Sequence, residues 1–413
     1  MKPIIWLINH YAIPPQRRGG TRHYGLAHYL QQQGLEPVII AANYCHFQQQ
    51  YFNQPFASTQ QADKSSGIPF VWVATKPAYK NNGLKRLLNM FSFAANLLRK
   101  KSLPPQKPAL ILASSPHLFG ALAAYYLAKR YKVPFIVEIR DIWPETLVAD
   151  GKISAKHPLI LIMAMIEKFL YKKADKIIAV MDGFPHYVAK KYGATIAAKC
   201  NVLPNFVMDE AVQPLTPSLS SSPPPFIFMY AGSHGYANGL DIVLEAAQLL
   251  EAKQLPIEIH LVGSGPEKEN LRTRAKELQL THLKFFDAVP KTAMGATLAT
   301  ADAYLMPLRD NPVFQWGISP NKLFDYFAMT KPVLAAVNTA LNPVQLANAG
   351  IALAHLNPLS LSEAMQQMYE ATPVQRQHWG ENAWYYLQQY HTQTAVGKKL
   401  KTLIANLLTT DNA

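Results

Sequence analysis

Cysteine is scarce. The 413-residue sequence holds only Cys45 and Cys200, too few for a disulfide framework or a four-cysteine zinc site, so a reduced, cytoplasmic setting fits best. A leader pattern is also missing. The apolar run at 4–8 ends at Asn9 and His10 without a cleavage-site pattern, and reads as a first buried strand. Long membrane-spanning runs are lacking too. The uncharged stretch 109–128 is interrupted by Ser114, Ser115, Pro116 and His117, which makes it strand, turn and helix. Acids and histidines are scattered, with no Asp-x-Asp and no histidine cluster, so no metal constellation is visible.

What is present is the composition of a soluble globular protein, 49% apolar and 16% charged, with enough length for two domains. The net charge of +14 is unevenly placed. Residues 1–207 carry 26 Lys/Arg against 9 Asp/Glu, whereas the remainder is slightly acidic. A basic half implies an anionic surface or ligand: membrane phospholipid, a lipid pyrophosphate or nucleic acid.

Along the chain, strand 4–8, a loop with Gly19 and Gly20, helix 21–33 and strand 38–41 form a βαβ unit. Its glycines stand where open α/β sheets bind ligands, although the pattern is not GxGxxG and also describes a plain tight turn. Residues 44–68 are Gln-rich and read as a loop. Helix 83–101 has an apolar face of Leu87, Leu88, Phe91, Ala94, Ala95 and Leu98. Helix 159–173 has a similar face of Leu159, Ile160, Ile162, Met163, Ile166, Phe169 and Leu170. Both have basic ends. Either they pack on the core or they lie on an anionic bilayer. Strand 135–139 runs into Arg140, Asp141, Ile142, Trp143, Pro144 and Glu145, a polar edge site or a local salt bridge.

Residues 208–225 are a Pro/Ser-rich linker. A second α/β pattern fills 226–378, and helices from Trp379 to the end are expected to return to the first domain. The most informative stretch is 317–326, Gly-Ile-Ser-Pro-Asn-Lys-Leu-Phe-Asp-Tyr. Ser319 reads as an N-cap and Pro320 as a first-turn residue, with Leu323, Phe324 and Phe327 as the buried face. The helix start and Lys322 suit phosphate, and Asp325, one turn on, suits a diol. The same pattern also describes an ordinary capped helix with one exposed lysine.

Taken together, the Gly19-Gly20 loop, 140–145, 230–235 with 238–241, 262–266 and 319–326 resemble bacterial glycosyltransferases of family 4 over nearly the full length. Within the family the nearest likeness is to O-antigen and capsule transferases of the N-acetyl-fucosamine type. The resemblance implies a GT-B fold: two Rossmann-like α/β domains facing across a cleft. The first, 1–207, would take the acceptor and the second, 226–378, the nucleotide sugar. It further implies a retaining, metal-independent enzyme with no cofactor. A UDP-sugar would donate an N-acetylated hexosamine or deoxyhexosamine to a polyprenyl-pyrophosphate-linked saccharide. Asp325 matches the second acid of the family's Glu-x7-Glu motif, so it should hold the ribose. Gly317 stands where the first acid is usual, and Ser233 and Asn238 where an Arg/Lys pair is usual. The diphosphate then falls to Lys322, Ser319, Asn321, Gly232, Ser233 and His234, with Gly263 beside them. Gly19, Gly20 and Arg22 form the acceptor or phosphate loop. Arg140 and Asp141 are the catalytic candidates.

The basic first half implies a cytoplasmic protein held peripherally on the anionic inner face of the membrane. A UDP-sugar 2-epimerase of similar fold is the alternative, and would need acid/base carboxylates. No RRM, KH or helix-turn-helix pattern supports nucleic acid as a partner.

Overall fold

Every principal strand pairs in parallel, which requires each connection to cross over the sheet. The computed structural model describes residues 2–15, 20–46, 48–52, 67–80, 83–151, 153–212 and 225–410. Gly19, the core of the expected loop at 53–66, and linker residues 213–224 lie outside them. The chain divides into two units: Met1–Pro204 with Gln393–Ala413, and Asn205–Thr392.

The first unit contains β1 (Ile4–Ile8), β2 (Glu36–Ala42), the short hairpin β3 (Tyr44–Cys45) and β4 (Gln50–Tyr51), β5 (Phe70–Val73), β6 (Leu110–Ser114), β7 (Phe135–Ile139), β8 (Lys176–Ala179) and β9 (Cys200–Val202). Its seven-stranded sheet runs β5-β2-β1-β6-β7-β8-β9. The second unit contains β10 (Phe226–Ala231), β11 (Ile257–Val262), β12 (Leu283–Phe286), β13 (Ala303–Pro307), β14 (Val333–Ala336) and β15 (Gly350–Leu353), ordered β12-β11-β10-β13-β14-β15. Each is a doubly wound, Rossmann-like sheet. The order reverses between β1 and β6 in one and between β10 and β13 in the other. Loops leaving those strands at their carboxyl ends form the ligand crevice of such folds.

Continuous apolar strands explain the parallel sheets. Ile5, Trp6 and Leu7 in β1 and Leu110, Ile111 and Leu112 in β6 are fully buried, as expected for strands covered on both faces. In the second unit, one face of the sheet packs on Leu323, Phe324, Tyr326 and Phe327. The other packs on Val243, Leu244, Leu361 and Met365.

Cys200–Val202 adds an edge strand to the first sheet. Two expectations change. The helix read as starting at Trp379 begins at Pro373 and runs to Tyr390 within the second unit. There Gly380 lies so close to the Thr330 carbonyl that a Cβ would sit 2.0 Å from its oxygen. Only Gln393–Thr410 belongs to the first unit, where it packs on helix Arg22–Gln32 and Gln393 donates to the Gly25 carbonyl at 2.8 Å. The apolar stripe of the first basic-ended helix is the second. On helix Leu84–Leu97 the buried residues are Asn89, Met90, Phe93 and Leu97, whereas Leu88 and Phe91 of the expected core face are 47% and 43% exposed. On helix Pro158–Lys173 the expected face largely holds: Ile160, Met163 and Leu170 are buried, Leu159, Ile166 and Phe169 are half-buried, and Ile162 faces solvent beside Leu161 and Met165, which lie outside that face. Among the described residues, no helix is long and apolar enough to cross a membrane.

Candidate functional site

The site of the second unit grows from the two loops at its switch point. After β10, the chain turns through Gly232 and Ser233; after β13, it passes through 308–320 into helix Asn321–Phe327. Tyr326 fastens the helix to the strand. Its hydroxyl donates to the Ala231 carbonyl at 3.1 Å and accepts from the Ala231 N–H at 2.9 Å, while its ring stacks on Tyr304 at 4.6 Å. Full burial of Phe324 and Phe327 adds roughly 1.5–3 kcal/mol each. Lys322 lies four residues before Tyr326, on the same helical face, and is thereby aimed at the Gly232 turn.

Lys322 is half-buried. Its Nζ donates to Tyr230 Oη at 2.9 Å and to Asn238 Oδ1 at 2.6 Å, and lies 4.3 Å from the centre of the Tyr230 ring. Both partners are neutral, since burial pushes the Tyr230 phenol up. Desolvation with no carboxylate to offset it pulls the Lys322 ammonium down to about 7. A phosphate would supply the missing negative charge. Tyr230 Oη and Asn238 Nδ2 in turn donate to the Ser233 carbonyl, which sets the shape of the turn.

Gly263 makes the turn possible. At φ +150° it approaches the Gly232 carbonyl so closely that a Cβ would stand 1.8 Å from that oxygen. Lys268 tightens the same region by donating to the Gly263 and Phe286 carbonyls and to Asp287. Gly263 is therefore a buried packing residue that shapes the turn. His234 is a correction. Its side chain is fully buried, burial and the nearby Lys268 hold its imidazole down at about 4, and its backbone is bonded to Ser264 and Glu267. It is a neutral ring packed against Gly263, and neither ring nitrogen has a hydrogen-bond partner among the described residues.

Ser319 is a second correction. Its hydroxyl accepts from the Asn205 N–H at 2.9 Å and its carbonyl from Asn205 Nδ2 at 2.5 Å, so it does not cap the helix. Pro320, at ψ 130°, is extended and stands before the helix rather than in its first turn. Asn321 is exposed at the first helical position. Gly317 has φ +92°, a conformation that residues with a Cβ avoid, which gives a physical reason for glycine where an acid was looked for. Asp325 is at the rim, its side chain 21% exposed, and Lys291 Nζ donates to both carboxylate oxygens at 2.6 and 2.7 Å. Burial raises its pKa and Lys291 opposes the rise. No local pattern pointed to Lys291, which enters from a different helix.

In the first unit, Gly20 is half-buried, while Arg22 is a third correction. It is 5% exposed, and its guanidinium donates to Glu138 Oε1 at 2.9 Å and to the Leu203 and Pro204 carbonyls at 2.7 and 2.6 Å. His23 lies 3.0 Å from Glu138 Oε2, and Ser114 Oγ donates to the same oxygen. Burial alone would raise the Glu138 carboxyl, but Arg22 and His23 hold it well below the usual carboxylate range. Arg22 thus braces the sheet and offers nothing to a ligand. Arg140 and Asp141 follow β7 as expected. Arg140 is half-buried with its N–H bonded to Ser115 Oγ at 2.8 Å, and Asp141 is exposed. Around the ends of β1 and β6, His10, Tyr11 and His117 form a ring cluster, His10 lying 4.8 Å from His117, that single-residue reading missed.

Comparison with known proteins places this geometry. Residues 225–371 match the family model "Glycosyl transferases group 1", and residues 19–210 match "Glycosyltransferase Family 4". Among curated relatives, the chain is 23% identical to the probable glycosyltransferase WbjE of Pseudomonas aeruginosa over 62% of its own length and 63% of that protein's, thus less than two thirds of the relative. It is 25% identical to the putative colanic acid biosynthesis glycosyl transferase WcaI of Escherichia coli K12, over 74% and 76%. Among solved structures, Anabaena Alr3699/HepE in complex with UDP and glucose superposes with a TM-score of 0.68 at 14% identity, covering 98% of this chain and 100% of that one. Two successive family models and two parallel Rossmann-like sheets agree in likening the chain to the group 1 and family 4 glycosyltransferases.

Proposed function

We propose that this glycosyltransferase moves a sugar from a UDP-sugar to a polyprenyl-pyrophosphate-linked saccharide in bacterial surface polysaccharide synthesis. The sugar is an N-acetylated hexosamine or deoxyhexosamine, and transfer retains its anomeric configuration. The observation that carries the reading is Lys322, a half-buried cation with neutral partners beside the Gly232 turn at a sheet's switch point. That arrangement suits a diphosphate. The bound UDP of HepE and the colanic acid biosynthesis named for WcaI support the same assignment.

In this reading the second unit binds the donor. Lys322, the N–H groups of the Gly232–Ser233 turn and those near Asn321 hold the diphosphate. Asp325 exchanges Lys291 for the ribose hydroxyls. As the bond from the anomeric carbon to the diphosphate oxygen breaks, negative charge grows on the leaving group, and Lys322 stabilises it in place of a metal. The acceptor oxygen bonds to the anomeric carbon on the face just vacated, and its proton passes to the leaving diphosphate. Asp141, with Arg140 beside it, orients the acceptor or stabilises the oxocarbenium-like centre. The first unit takes the acceptor, at the inner face of the membrane. The exposed Leu161, Ile162 and Met165, among the exposed Lys156, Lys168 and Lys172, support peripheral attachment to anionic lipid.

The test is a panel of UDP-sugars offered with short polyprenyl-pyrophosphate saccharides, with and without a chelator. One donor should give a mass-shifted product, unaffected by chelation and lost in Lys322→Ala. Turnover of a UDP-sugar without any acceptor would instead indicate an epimerase.

A further inference from the structure

Helix Leu84–Leu97 is apolar on two sides. Met90, Phe93 and Leu97 enter the core of the first unit, whereas Leu88, Phe91 and Ala95, one further stripe at helical spacing, are exposed. That outer stripe walls a groove of about 690 Å³, within the size range of small-molecule clefts, roughly 300–1,000 Å³. The opposite wall is the chain leaving β5, from Ala74 to Pro77.

The groove is built rather than incidental. Asn96 Nδ2 donates to the Ala74 carbonyl at 2.7 Å, and the Lys76 N–H donates to Ser92 Oγ at 3.2 Å, so both walls are laced together. Thr75, between them, is fixed through its N–H and hydroxyl to Asn43 Oδ1. At one end the apolar strip meets the cations Arg99 and Lys101, while Lys76 lies along the opposite wall beside Ser92, and among the described lining residues none is acidic. An apolar trough ending in a cationic mouth fits an amphiphile with a hydrocarbon chain and an anionic head.

Resting on the acceptor class of the proposed function, we infer that this groove seats the prenyl diphosphate of the acceptor. The first isoprene units lie along Leu88, Phe91 and Ala95. The diphosphate lies against Arg99 and Lys101. The protein thereby recognises the carrier lipid apart from the sugar that receives the bond.

The test measures binding of farnesyl diphosphate to the full chain by calorimetry, with inorganic diphosphate and phosphatidylglycerol vesicles as separate probes. Arg99→Ala/Lys101→Ala and Leu88→Gln change exposed positions and leave the core intact. Each should weaken farnesyl diphosphate about tenfold, as loss of a charge-assisted contact or of a buried apolar side chain would. UDP affinity should stay unchanged in both. Wild-type affinity for farnesyl diphosphate in the variants would overturn the inference. So would inorganic diphosphate binding as tightly as the farnesyl ester, or variants that lose only vesicle binding, which would make the groove a phospholipid contact. Failure of the enzyme to use any UDP-sugar with a lipid-linked acceptor would defeat the functional reading, and is scored separately from groove binding.

Discussion

Two buried or half-buried cations stand near the carboxyl ends of parallel strands, one in each unit, and they have opposite fates. Arg22 is neutralised by Glu138 and saturated by two backbone carbonyls. Among the described residues Lys322 meets only a phenol and an amide, and its ammonium is pulled down to about 7. Position in the fold is therefore not enough to mark an anion site. The sign that distinguishes them is whether protein groups already supply the counter-charge.

Glu138→Gln attacks the comparison with the largest effect. Leaving Arg22 without its carboxylate should reduce unfolding free energy by about 3–5 kcal/mol, measured by denaturant titration. The sign in pH follows from the depressed carboxyl. Its stabilisation is complete above the ordinary carboxylate range and is lost as pH falls through that range toward the lower folded-state pKa, a dependence that the variant should lack. A variant as stable as the wild type would mean that Arg22 is not held by its partner.

Lys322→Ala should do the reverse. Stability should hold or rise, because an uncompensated cation is removed, while UDP affinity falls by about 2 kcal/mol, near 30-fold. Lost stability with intact UDP binding would erase the distinction between the two sites.

The protonation of Lys322 gives a finer test. Below pH 7 the ammonium is already charged; above it, UDP must bind together with a proton. Affinity should then fall by up to about tenfold per unit between pH 7.5 and 9. Calorimetry in buffers of different ionisation enthalpy should register proton uptake at pH 8 in the wild type and none in Lys322→Ala. The smallest effect belongs to Asp325→Asn, which should weaken UDP by about 1 kcal/mol and narrow its preference over 2′-deoxy-UDP. An unchanged preference would leave Asp325 only its bond to Lys291.

Both α/β patterns were readable because strands covered on two faces must be apolar throughout, and the glycine turns and the 317–326 stretch are contiguous. The roles of Ser319, His234 and Arg22 were not readable. Their neighbours Asn205, Lys268 and Glu138 are 114, 34 and 116 positions away, so a serine suited to a cap became a brace and an arginine near a glycine loop became a core group. The misassigned face of helix Leu84–Leu97 has the same origin: Leu88 and Phe93 are equally apolar, and nothing local says which will meet the sheet.

Hydrophobic period and turn chemistry, being properties of neighbouring residues, were enough to specify two Rossmann-like sheets and the Gly232 turn. Which charges stay uncompensated, and which apolar stripe stays uncovered, was decided by packing alone. Counter-charge and contact come from distant segments, and the chain has no local means of recording them.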